Sequence, residues 1–525
     1  MPVPRQWMLL ADDMTGAADT ALAFYTSWQS SASKPCNVQV YPHPKSIYTV
    51  GESYIPSGVL SQDPLALHAY QASLRLTSSE EIRQTFDLAD PQICPTPAQA
   101  SAWQAGHLGL YLKIDSTLRG AWYTLLACVW QRLTQETPIV QNAPKAYHVV
   151  LSPVVPSQQR WTREDGVHGI VQADGTFLPV HQTPMGLDPV TPVTESCLWH
   201  YFAPPWMPKH PSGAYALSEL PLHRVAHAVA TQDTQGYDAT RSALWVLDAM
   251  EAQAFQSQVQ WLVRHLQDAS VLWVGAAGLA EVLGDCIFQA SQPLSPDEVL
   301  SSCDSTVSIP SSEAYASPFI EVSSTRVAPA LVLIQGSMTP LSFAQGQALI
   351  RWCGAQENLS WHLDTWEQWL QRKPLSKLPN VLQPHGVYMA TSYDMTQALS
   401  LGKRSSMLQA WQPSSPFESL SFHAMAGRVY QHFLALRADT QVPIIWCLVG
   451  GETTSGVLQQ AFQPHQSLRF QGQLAPNIPL LVPSSYVHEH GVSPSFHRQD
   501  RWVTKSGFFG KEDLWKQMVE LLGQP

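Results

Sequence analysis

Short apolar runs recur along the chain, and most of them end in small or polar residues. Seven of these runs have the length of buried strands, and they cover residues 7–11, 110–114, 148–151, 244–247, 271–274, 331–334 and 444–449. Continuous rather than alternating apolar character is typical of parallel strands that are covered on both faces. Between the runs, residues 17–28, 251–266 and 342–352 carry apolar side chains at helical spacing. This alternation predicts an α/β fold built in layers.

Two polar stretches interrupt the alternation of strands and helices. Ser and Pro accumulate over residues 289–328, which predicts a linker or a surface excursion. Residues 397–421 are also polar and predict an insertion or a long loop. At about 150 residues per domain, the chain of 525 residues corresponds to three or four compact units, or equally well to two large ones.

The composition narrows the class of protein. Hydrophobic residues make up 45% of the chain and charged residues only 14%, which excludes global disorder. The formal net charge of -11 argues against a nonspecific nucleic-acid binder, because such binding comes from Lys and Arg that neutralise many phosphates. The longest apolar runs are far shorter than the roughly 20 residues that span a bilayer, and the N-terminus lacks the pattern of a secretion signal. Eight scattered cysteines without a C-x-x-C pair indicate neither a zinc ribbon nor a disulfide framework, so we expect a cytoplasmic protein with no membrane partner.

The first run that carries chemistry is LLADDMTGAADT, residues 9–20, in which two carboxylates follow an apolar strand. Open α/β sheets bind ligands beyond the carboxyl ends of their strands, so Asp12 and Asp13 lie where a hydroxylated substrate would be met. Their carboxylates can accept hydrogen bonds from sugar hydroxyls, and either one can serve as a general base. The alternative is that one of the two simply caps the following helix.

A second run, LKIDSTLRG at residues 112–120, again places polar groups directly after an apolar strand. Lys113 and Arg119 offer cations for a carboxylate or a phosphate, and Arg can bind either group through two parallel hydrogen bonds. The remaining polar members can bind hydroxyls or cap a helix, and they are Asp115, Ser116 and Thr117. For any single residue of this run, a surface ion pair is the alternative.

A glycine turn in the second half, LIQGSMTP at residues 333–340, also follows an apolar strand. At the start of a helix, Gly336 and Ser337 would expose backbone N–H groups and a hydroxyl, which suits a nucleotide phosphate. A plain turn explains the same two residues equally well, so the turn alone indicates little.

The run VGGETTSG, residues 449–456, is a stronger nucleotide signal. Gly450 and Gly451 permit close approach of a phosphate, and the N–H groups that follow, from Glu452 and Thr453, would point at it. The run is neither a Rossmann fingerprint nor a Walker A loop, because it has no G-x-G-x-x-G pattern and no Gly-Lys-Ser/Thr ending.

Together, the runs at residues 9–20 and 112–120 resemble the four-carbon acid sugar kinases, a family formerly known as a domain of unknown function. These enzymes use ATP to phosphorylate tetronates such as threonate, erythronate or their 2-oxo forms. The likeness spans nearly the whole chain, and further matching segments lie at residues 156–160, 166–168, 188–189, 195–196, 275–280, 333–340, 449–456 and 503–510. In the last segment, VTKSGFFG, the resemblance implies that Lys505 reaches a phosphate and that Gly507 admits the nucleotide.

The resemblance implies two α/β lobes with mainly parallel sheets and an active-site cleft between them. Residues 1–288 would bind the sugar acid, residues 289–328 would form the linker, and residues 329–525 would bind ATP with Mg²⁺ on its phosphates. Asp12 or Asp13 would then orient and deprotonate the attacking hydroxyl.

Further residues would complete this site. The substrate carboxylate or the transferred phosphoryl group would be held by Arg75, Lys113 and Arg119, and the acceptor site would also include Asp115, Ser116, Thr117 and Arg160. The nucleotide would be held by Gly336, Ser337, Gly450, Gly451, Glu452, Thr453, Lys505 and Gly507. The sugar acid and ATP are the expected partners, and a homodimer is an open alternative to a monomer.

Several positions depart from the family pattern. Gln71 stands where the family has a carboxylate in an Asp-Thr-x-Ser-Arg element, although Arg75 is kept. Gln159 replaces a glycine, Ala121 replaces an asparagine that is frequent there, and Phe508 replaces an asparagine near the C-terminus. A lost polar partner in a buried site can change specificity by orders of magnitude. Two alternatives therefore stay open: a degenerate relative that binds an acid metabolite or a nucleotide as a sensor, and a kinase for a larger or differently substituted acid.

Overall fold

The structure is a computed structural model, and it describes most of the chain. The described residues are 4, 6–31, 36–42, 65–72, 74–75, 77–87, 95–135, 146–188, 191–203, 217, 220–231, 241–291, 328–337, 339–356, 359–370, 381–392, 421–437, 440, 442–463, 466–475, 478–484, 500–506 and 511–521. The linker predicted at 289–328 and the insertion predicted at 397–421 lie outside these residues except at their ends.

Within the described residues, fifteen strands form one sheet and three short strands form a second. Numbered along the chain, they are β1 Gln6–Ala11, β2 Asn37–Tyr41, β3 Ala66–Gln71, β4 Leu108–Lys113, β5 Tyr147–Ser152, β6 Arg160–Thr162, β7 His168–Val171, β8 Phe177–Pro179, β9 Leu222–Arg224, β10 Ala243–Val246, β11 Ser270–Gly275, β12 Ala330–Gln335, β13 Trp361–Thr365, β14 Val387–Thr391, β15 Ile444–Val449, β16 Leu468–Ala475, β17 Ile478–Pro483 and β18 Arg501–Lys505. The order in the large sheet is β13-β14-β12-β15-β18-β17-β16-β2-β3-β1-β4-β11-β5-β10-β9. All seven runs predicted as strands belong to this sheet.

The helices alternate with these strands along the chain, and the three predicted helical segments correspond to α1, α6 and α8. The helices are α1 Met14–Ser31, α2 Ser79–Asp87, α3 Pro97–Gln104, α4 Trp122–Gln135, α5 Val225–Thr231, α6 Ala252–His265, α7 Ala277–Ser291, α8 Pro340–Gly354, α9 Trp366–Leu370, α10 Phe422–Arg437, α11 Gly451–Ala461 and α12 Leu514–Leu521, with 3-10 turns at Pro156–Gln158, Val180–Gln182, Pro184–Leu187 and Leu198–Phe202. No helix in the described part of the chain has the length and apolar character needed to cross a membrane.

Strand β1 shows why the apolar runs are continuous. Its side chains alternate between two hydrophobic cores, with Trp7, Leu9 and Ala11 in one and Met8 and Leu10 in the other. Successive side chains of a strand point to opposite faces, so a strand covered on both faces needs apolar residues at every position. The predicted α/β class is confirmed.

The two ends of the chain contribute separate portions of the large sheet. The strands that residues 1–288 contribute to the large sheet run parallel to one another, and so do β13, β14, β12, β15 and β18 of the second portion. Antiparallel pairs of β18 with β17, β17 with β16, and β16 with β2 connect the two portions. The described strands thus form one continuous sheet, and the boundaries 1–288, 289–328 and 329–525 stay predictions.

Helix α1 lies across this join. Its buried alanines, among them Ala17, Ala18 and Ala21, permit close packing against α7 of the first portion. The same helix contacts α11, β17 and β18 of the second portion, and Tyr25 stacks on Phe470 with ring centroids 5.2 Å apart. Because α1 starts directly after the two aspartates, this packing brings the end of β1 close to the second portion.

Candidate active site

Three neighbouring parallel strands end at one edge of the sheet and carry the predicted acceptor residues. Strand β1 lies between β3 and β4, with Ala11 in register with Gln71 on one side and Lys113 on the other. Asp12 and Asp13 follow β1, while the loop that contains Asp115 follows β4. The parallel register therefore brings the two predicted runs together.

Arg75, in the segment after β3, is bound to three carboxylates. Its Nε and Nη2 each donate to Asp12 at 3.1 Å, Nη1 pairs with Asp13, and Nη2 lies 3.8 Å from Asp115 Oδ1. The Arg75 side chain is only 13% exposed. Its positive charge compensates acids that would be costly to bury together without it.

Asp13 is also the N-cap of α1. Its Oδ1 accepts the N–H of Gly16 at 2.5 Å, and its Oδ2 accepts the Thr15 hydroxyl at 3.2 Å. The capping alternative is thus realised for Asp13 together with its ion pair. A Cβ at Gly16 would lie 2.7 Å from Asp13 Oδ1 and 2.9 Å from Lys113 Nζ, so this turn has no room for a side chain.

The pKa values of two acids in this cluster, Asp12 and Asp115, are shifted in opposite directions. Burial raises the pKa of Asp12 against the charge of Arg75, and the neighbouring Asp13 adds to the increase. Burial acts in the same direction on Asp115, but Arg119 and Arg75 overcome it and hold the pKa of this carboxyl well below its usual range. Asp115 is therefore ionised at neutral pH.

The loop after β4 is organised around Asp115. Arg119 Nε donates to Asp115 Oδ2 at 2.8 Å and to Thr117 Oγ1 at 3.1 Å, and the Thr117 hydroxyl donates to the same carboxylate. Arg119 Nη1 also reaches Asp188 at 3.5 Å. The Asp115 and Arg119 side chains are 9% and 16% exposed, so the pair is largely buried rather than a surface ion pair.

Arg160 reaches this loop from the small sheet. Its Nη1 donates to the hydroxyl of Ser116, whose carbonyl oxygen lies 2.9 Å from His168 Nε2. Burial lowers the pKa of Arg160 to about 10 and that of His168 to about 4, so at pH 7 the arginine is charged and the histidine neutral. Gln159 has φ 54°, in the left-handed region that favours glycine, which gives a physical reason for the glycine expected there.

Adjacent strand ends of the second portion form the glycine turns. The N–H groups of Gly336 and Ser337 donate to the Val449 carbonyl at 3.1 and 3.2 Å, and that of Gly450 donates to the Lys505 carbonyl at 2.9 Å. Gly450 has φ 106°, and a Cβ there would lie 3.3 Å from the Ser337 nitrogen. These bonds tie the ends of β12, β15 and β18 into one rim.

Helix α11 begins at this rim without a side-chain cap. Its N-cap is Gly450, which makes no side-chain hydrogen bond to the helix, so the first backbone N–H groups are left for an acceptor outside it. Thr453 is 1% exposed, and its Oγ1 has no hydrogen-bond partner among the described residues. A Cβ at Gly336 would collide with this Oγ1. An uncapped helix start beside a buried, unpartnered hydroxyl suits an anion such as a phosphate.

Glu452 lies in the first turn of α11, and its side chain is 26% exposed. Burial raises its pKa to about 7, and the carboxylates of Asp13 and Asp12 add to the increase against the charge of Arg75. Its Oε2 lies 3.9 Å from His423 Nδ1, and burial lowers the pKa of that histidine. At pH 7 Glu452 is divided between its acid and its carboxylate form.

The acid pair and the glycine turn are in contact. A Cβ at Gly451 would collide with the Asp13 carboxylate, so that carboxylate lies against the first turn of α11. Nearby, the Ser455 hydroxyl donates to Gln71 Oε1 at 3.0 Å, and the Gln71 amide donates to the Pro42 carbonyl. Gln71, which stands where the resemblance implies a carboxylate, thus accepts a hydrogen bond that connects the two portions of the chain.

One buried acid, Asp19 on α1, was missed by the sequence analysis. It is 4% exposed, and its Oδ1 has no hydrogen-bond partner among the described residues. Burial raises its pKa well above the usual range against the charges of Lys113 and, more weakly, Lys505. Asp19 belongs to the run at residues 9–20, but the sequence does not show that Lys113 and Lys505 face it, so it could not be predicted as a site residue.

Lys505 lies fully buried at the end of β18, where its Nζ donates to the Ser506 carbonyl at 2.8 Å. Burial lowers its pKa to about 7 against the charge of Asp19. The other predicted site residues lie at the ends of β1, β3 and β4 or at the rim formed by β12, β15 and β18, and Arg160 reaches them from the small sheet. The exception is Gly507, which with Phe508 falls outside the described residues.

Comparisons with known proteins agree with this architecture at a coarse level. No curated protein matches the chain. Among solved structures, a candidate tRNA synthase of Salmonella typhimurium LT2 is similar over 98% of both chains, with 15% identity and a TM-score of 0.53, which shows a shared fold. A domain of unknown function, DUF1537, from Bordetella bronchiseptica was crystallised as a domain-swapped dimer with bound citrate; it covers 98% of both chains with 17% identity and a TM-score of 0.34.

A family model locates one function-related segment. It is described as a sugar-binding N-terminal domain and matches residues 70–283, which include Arg75, Arg160 and the loop after β4 but not the aspartates after β1. In this segment the chain is similar to sugar-binding N-terminal domains.

Proposed function

We propose that the chain is an ATP-dependent kinase that phosphorylates a hydroxyl of a small sugar acid of about four carbons. The observation that carries the proposal is the close approach of the Asp13 carboxylate to Gly451, which joins the acidic residues after β1 to the uncapped start of α11. Phosphoryl transfer asks a protein mainly to align donor and acceptor and to stabilise phosphate charge. Groups for both tasks meet at this contact.

On the acceptor side, Asp12 and Asp13 bind hydroxyls of the sugar acid, because carboxylates accept hydrogen bonds from hydroxyls. Lys113 lies beside Asp13 and offers a cation to the substrate carboxylate or to the transferred group. Arg75 and Arg119 are already paired with buried acids, so they share in this binding while they hold the acids in place. The remaining acceptor residues, Asp115, Ser116, Thr117 and Arg160, belong to the same hydrogen-bonded cluster.

On the donor side, the residues present fit the phosphates of ATP. The start of α11, the unpartnered Thr453 hydroxyl, the turn at Gly336 and Ser337, and Lys505 would hold them. ATP supplies the phosphoryl group, and Mg²⁺ neutralises phosphate charge when it is bound. No group of three or more His, Cys, Asp or Glu side chains in the described part of the chain could hold a metal ion, so in this proposal Mg²⁺ enters on the phosphates.

The rival function is that of a sensor that binds an acid or a nucleotide without turnover. Its support from the sequence is Gln71 and Phe508. Phe508 lies outside the described residues, whereas the Gln71 side chain is 1% exposed and hydrogen-bonded across the two portions of the chain. The glutamine therefore has a structural task here, which weakens the argument for a degenerate site.

A coupled ADP-release assay with D- and L-threonate, D-erythronate, 2-oxotetronates and larger sugar acids tests the proposal. We expect ADP formation that depends on one of these acids and falls at least about 100-fold in Asp13→Asn, which keeps a capping side chain but loses the charge that pairs with Arg75 and positions the substrate. Asp174→Asn, at an exposed acid of the small sheet, is the matched control and should leave the rate unchanged. Ligand-induced thermal shifts without any ADP formation would instead support the sensor.

A further inference from the structure

We infer that Glu452, rather than Asp12 or Asp13, accepts the proton of the substrate hydroxyl when the phosphoryl group is transferred. This inference rests on the proposed kinase function and names the general base of that same site. It changes the role of Glu452 from a ligand of the nucleotide to a group that touches the reacting atoms.

The two aspartates are committed to other partners. Both oxygens of Asp12 accept hydrogen bonds from Arg75 at 3.1 Å. Asp13 Oδ1 accepts the N–H of Gly16 at 2.5 Å, and Oδ2 pairs with Arg75 and accepts the Thr15 hydroxyl at 3.2 Å. Taking up the substrate proton on either aspartate would weaken its ion pair with Arg75, and on Asp13 it would also disturb the cap of α1.

Glu452 lacks such commitments. Its one ion-pair contact among the described residues is His423, at the long distance of 3.9 Å, and burial favours the neutral form of this histidine. The arginine that faces Glu452, Arg75, is occupied by three other acids. The carboxyl group is partly exposed, so it can reach a bound hydroxyl and afterwards release a proton to water.

The position of Glu452 fits a base that acts at a phosphate. It lies in the first turn of α11, next to Gly451, where an added Cβ would collide with the Asp13 carboxylate. A permanently charged acid at this helix start would repel a triphosphate, whereas a group whose pKa lies near 7 is half neutral and still able to accept a proton at working pH.

The step balances in atoms and electrons. The hydroxyl oxygen of the acid forms a bond to the terminal phosphorus of ATP while its O–H bond breaks, and the proton goes to a Glu452 carboxylate oxygen. The bond from that phosphorus to the bridging oxygen breaks, its electron pair stays on ADP, and the products are ADP, the phosphorylated acid and a protonated Glu452.

Steady-state kinetics of Glu452→Gln and Glu452→Asp test the assignment. For Glu452→Gln we expect kcat to fall by about 10²- to 10⁴-fold, with KM for ATP unchanged or lower, because a neutral amide does not repel phosphate. Glu452→Asp should recover part of kcat. Wild-type kcat should rise as the pH passes about 7, because Glu452 then loses its proton; the charged or titratable groups that face it are Asp12, Asp13, Arg75 and His423. The glutamine variant should lack this rise.

The possible outcomes separate this inference from the proposed function. An active wild type with a Glu452→Gln variant that keeps its kcat, keeps the pH-dependent rise or loses only ATP affinity would overturn the inference and leave the kinase intact. A wild type that forms no ADP with any acid would overturn both. Glu367→Gln, at the first-turn acid of α9, is the matched control, and thermal unfolding of each variant shows whether it is folded.

Discussion

Two regions of the site differ in how their polar groups are satisfied: the acceptor cluster, formed by the residues that follow β1, β3 and β4, and the glycine rim, formed by the ends of β12, β15 and β18. In the acceptor cluster every acid named is matched by a cation: Arg75 holds Asp12 and Asp13, and Arg119 holds Asp115 and Asp188. At the glycine rim, α11 starts without a side-chain cap and Thr453 carries a hydroxyl with no partner among the described residues. The acceptor cluster is thus satisfied by its own side chains, whereas the glycine rim keeps polar groups that a bound anion could satisfy.

The sharpest way to break this contrast is to remove Arg75. Arg75→Met leaves three buried carboxylates without their shared cation, and we expect a loss of about 3–5 kcal/mol in the free energy of unfolding. Urea denaturation at pH 7 measures this loss. Arg75→Lys keeps the charge but not the two-pronged geometry and should lie in between. A loss below about 1 kcal/mol would show that the cluster does not depend on internal pairing.

The buried lysine of the glycine rim predicts a pH dependence of stability. Burial lowers the pKa of Lys505 to about 7, below its value in the unfolded chain, so from pH 7 to pH 10 the unfolded state binds more protons than the folded state. The free energy of unfolding should therefore gain up to about 1.4 kcal/mol per pH unit from this residue as pH rises, and the destabilisation is fully present below pH 7.

Denaturation curves at several pH values, for wild type and Lys505→Met, measure this contribution. The variant should lose the rise above pH 7. An identical pH dependence in both proteins would contradict the prediction that burial lowers the pKa of Lys505.

Two threonines compare the rims directly. The Thr117 hydroxyl donates to Asp115 inside the acceptor cluster, so Thr117→Val should cost about 1–3 kcal/mol in unfolding free energy. The Thr453 hydroxyl is buried without a partner among the described residues, so Thr453→Val should not destabilise the ligand-free protein and should stabilise it by up to about 1–3 kcal/mol. The same Thr453 variant should weaken ATP binding in calorimetry by about tenfold. Reversed effects of the two substitutions would invert the contrast.

The smallest expected effect is at Gln159, on the border of the acceptor cluster. Its φ of 54° is strained for any residue other than glycine, and its exposed side chain has little packing to lose. Gln159→Gly should therefore stabilise the fold by up to about 1 kcal/mol. Thermal unfolding with Gln158→Gly as the control measures the difference. A destabilised Gln159→Gly would show that the side chain contributes more than the strain costs.

The central strands and the strand-end motifs were predictable because both-face burial leaves a direct trace in the sequence. Trp7 to Ala11 are apolar at every position because β1 separates two cores. Polar residues begin at Asp12, where the chain leaves both cores. The edge-to-edge join of β16 with β2 left no such trace, because the two pair at only two positions. One continuous sheet was therefore not predicted.

The partners within the site were less accessible than its members. Arg75 was placed through the resemblance alone, since its contact with Asp12 depends on β3 lying beside β1, and apolar periodicity does not determine strand order. The bond of Gln71 to Ser455 joins residues that are far apart in the chain. Hydrogen bonds and ion pairs of this kind decide which carboxylate is free to act, and they depend on strand order and on contacts between distant parts of the chain.

The most direct test of the central claim is a crystal structure with a nonhydrolysable ATP analogue, Mg²⁺ and a sugar acid that the assay selects. The account predicts the terminal phosphate at the start of α11, beside Thr453, with the acceptor hydroxyl between that phosphate and the carboxylates of Asp13 and Glu452. A nucleotide bound elsewhere on the molecule, with this junction left empty, would contradict it.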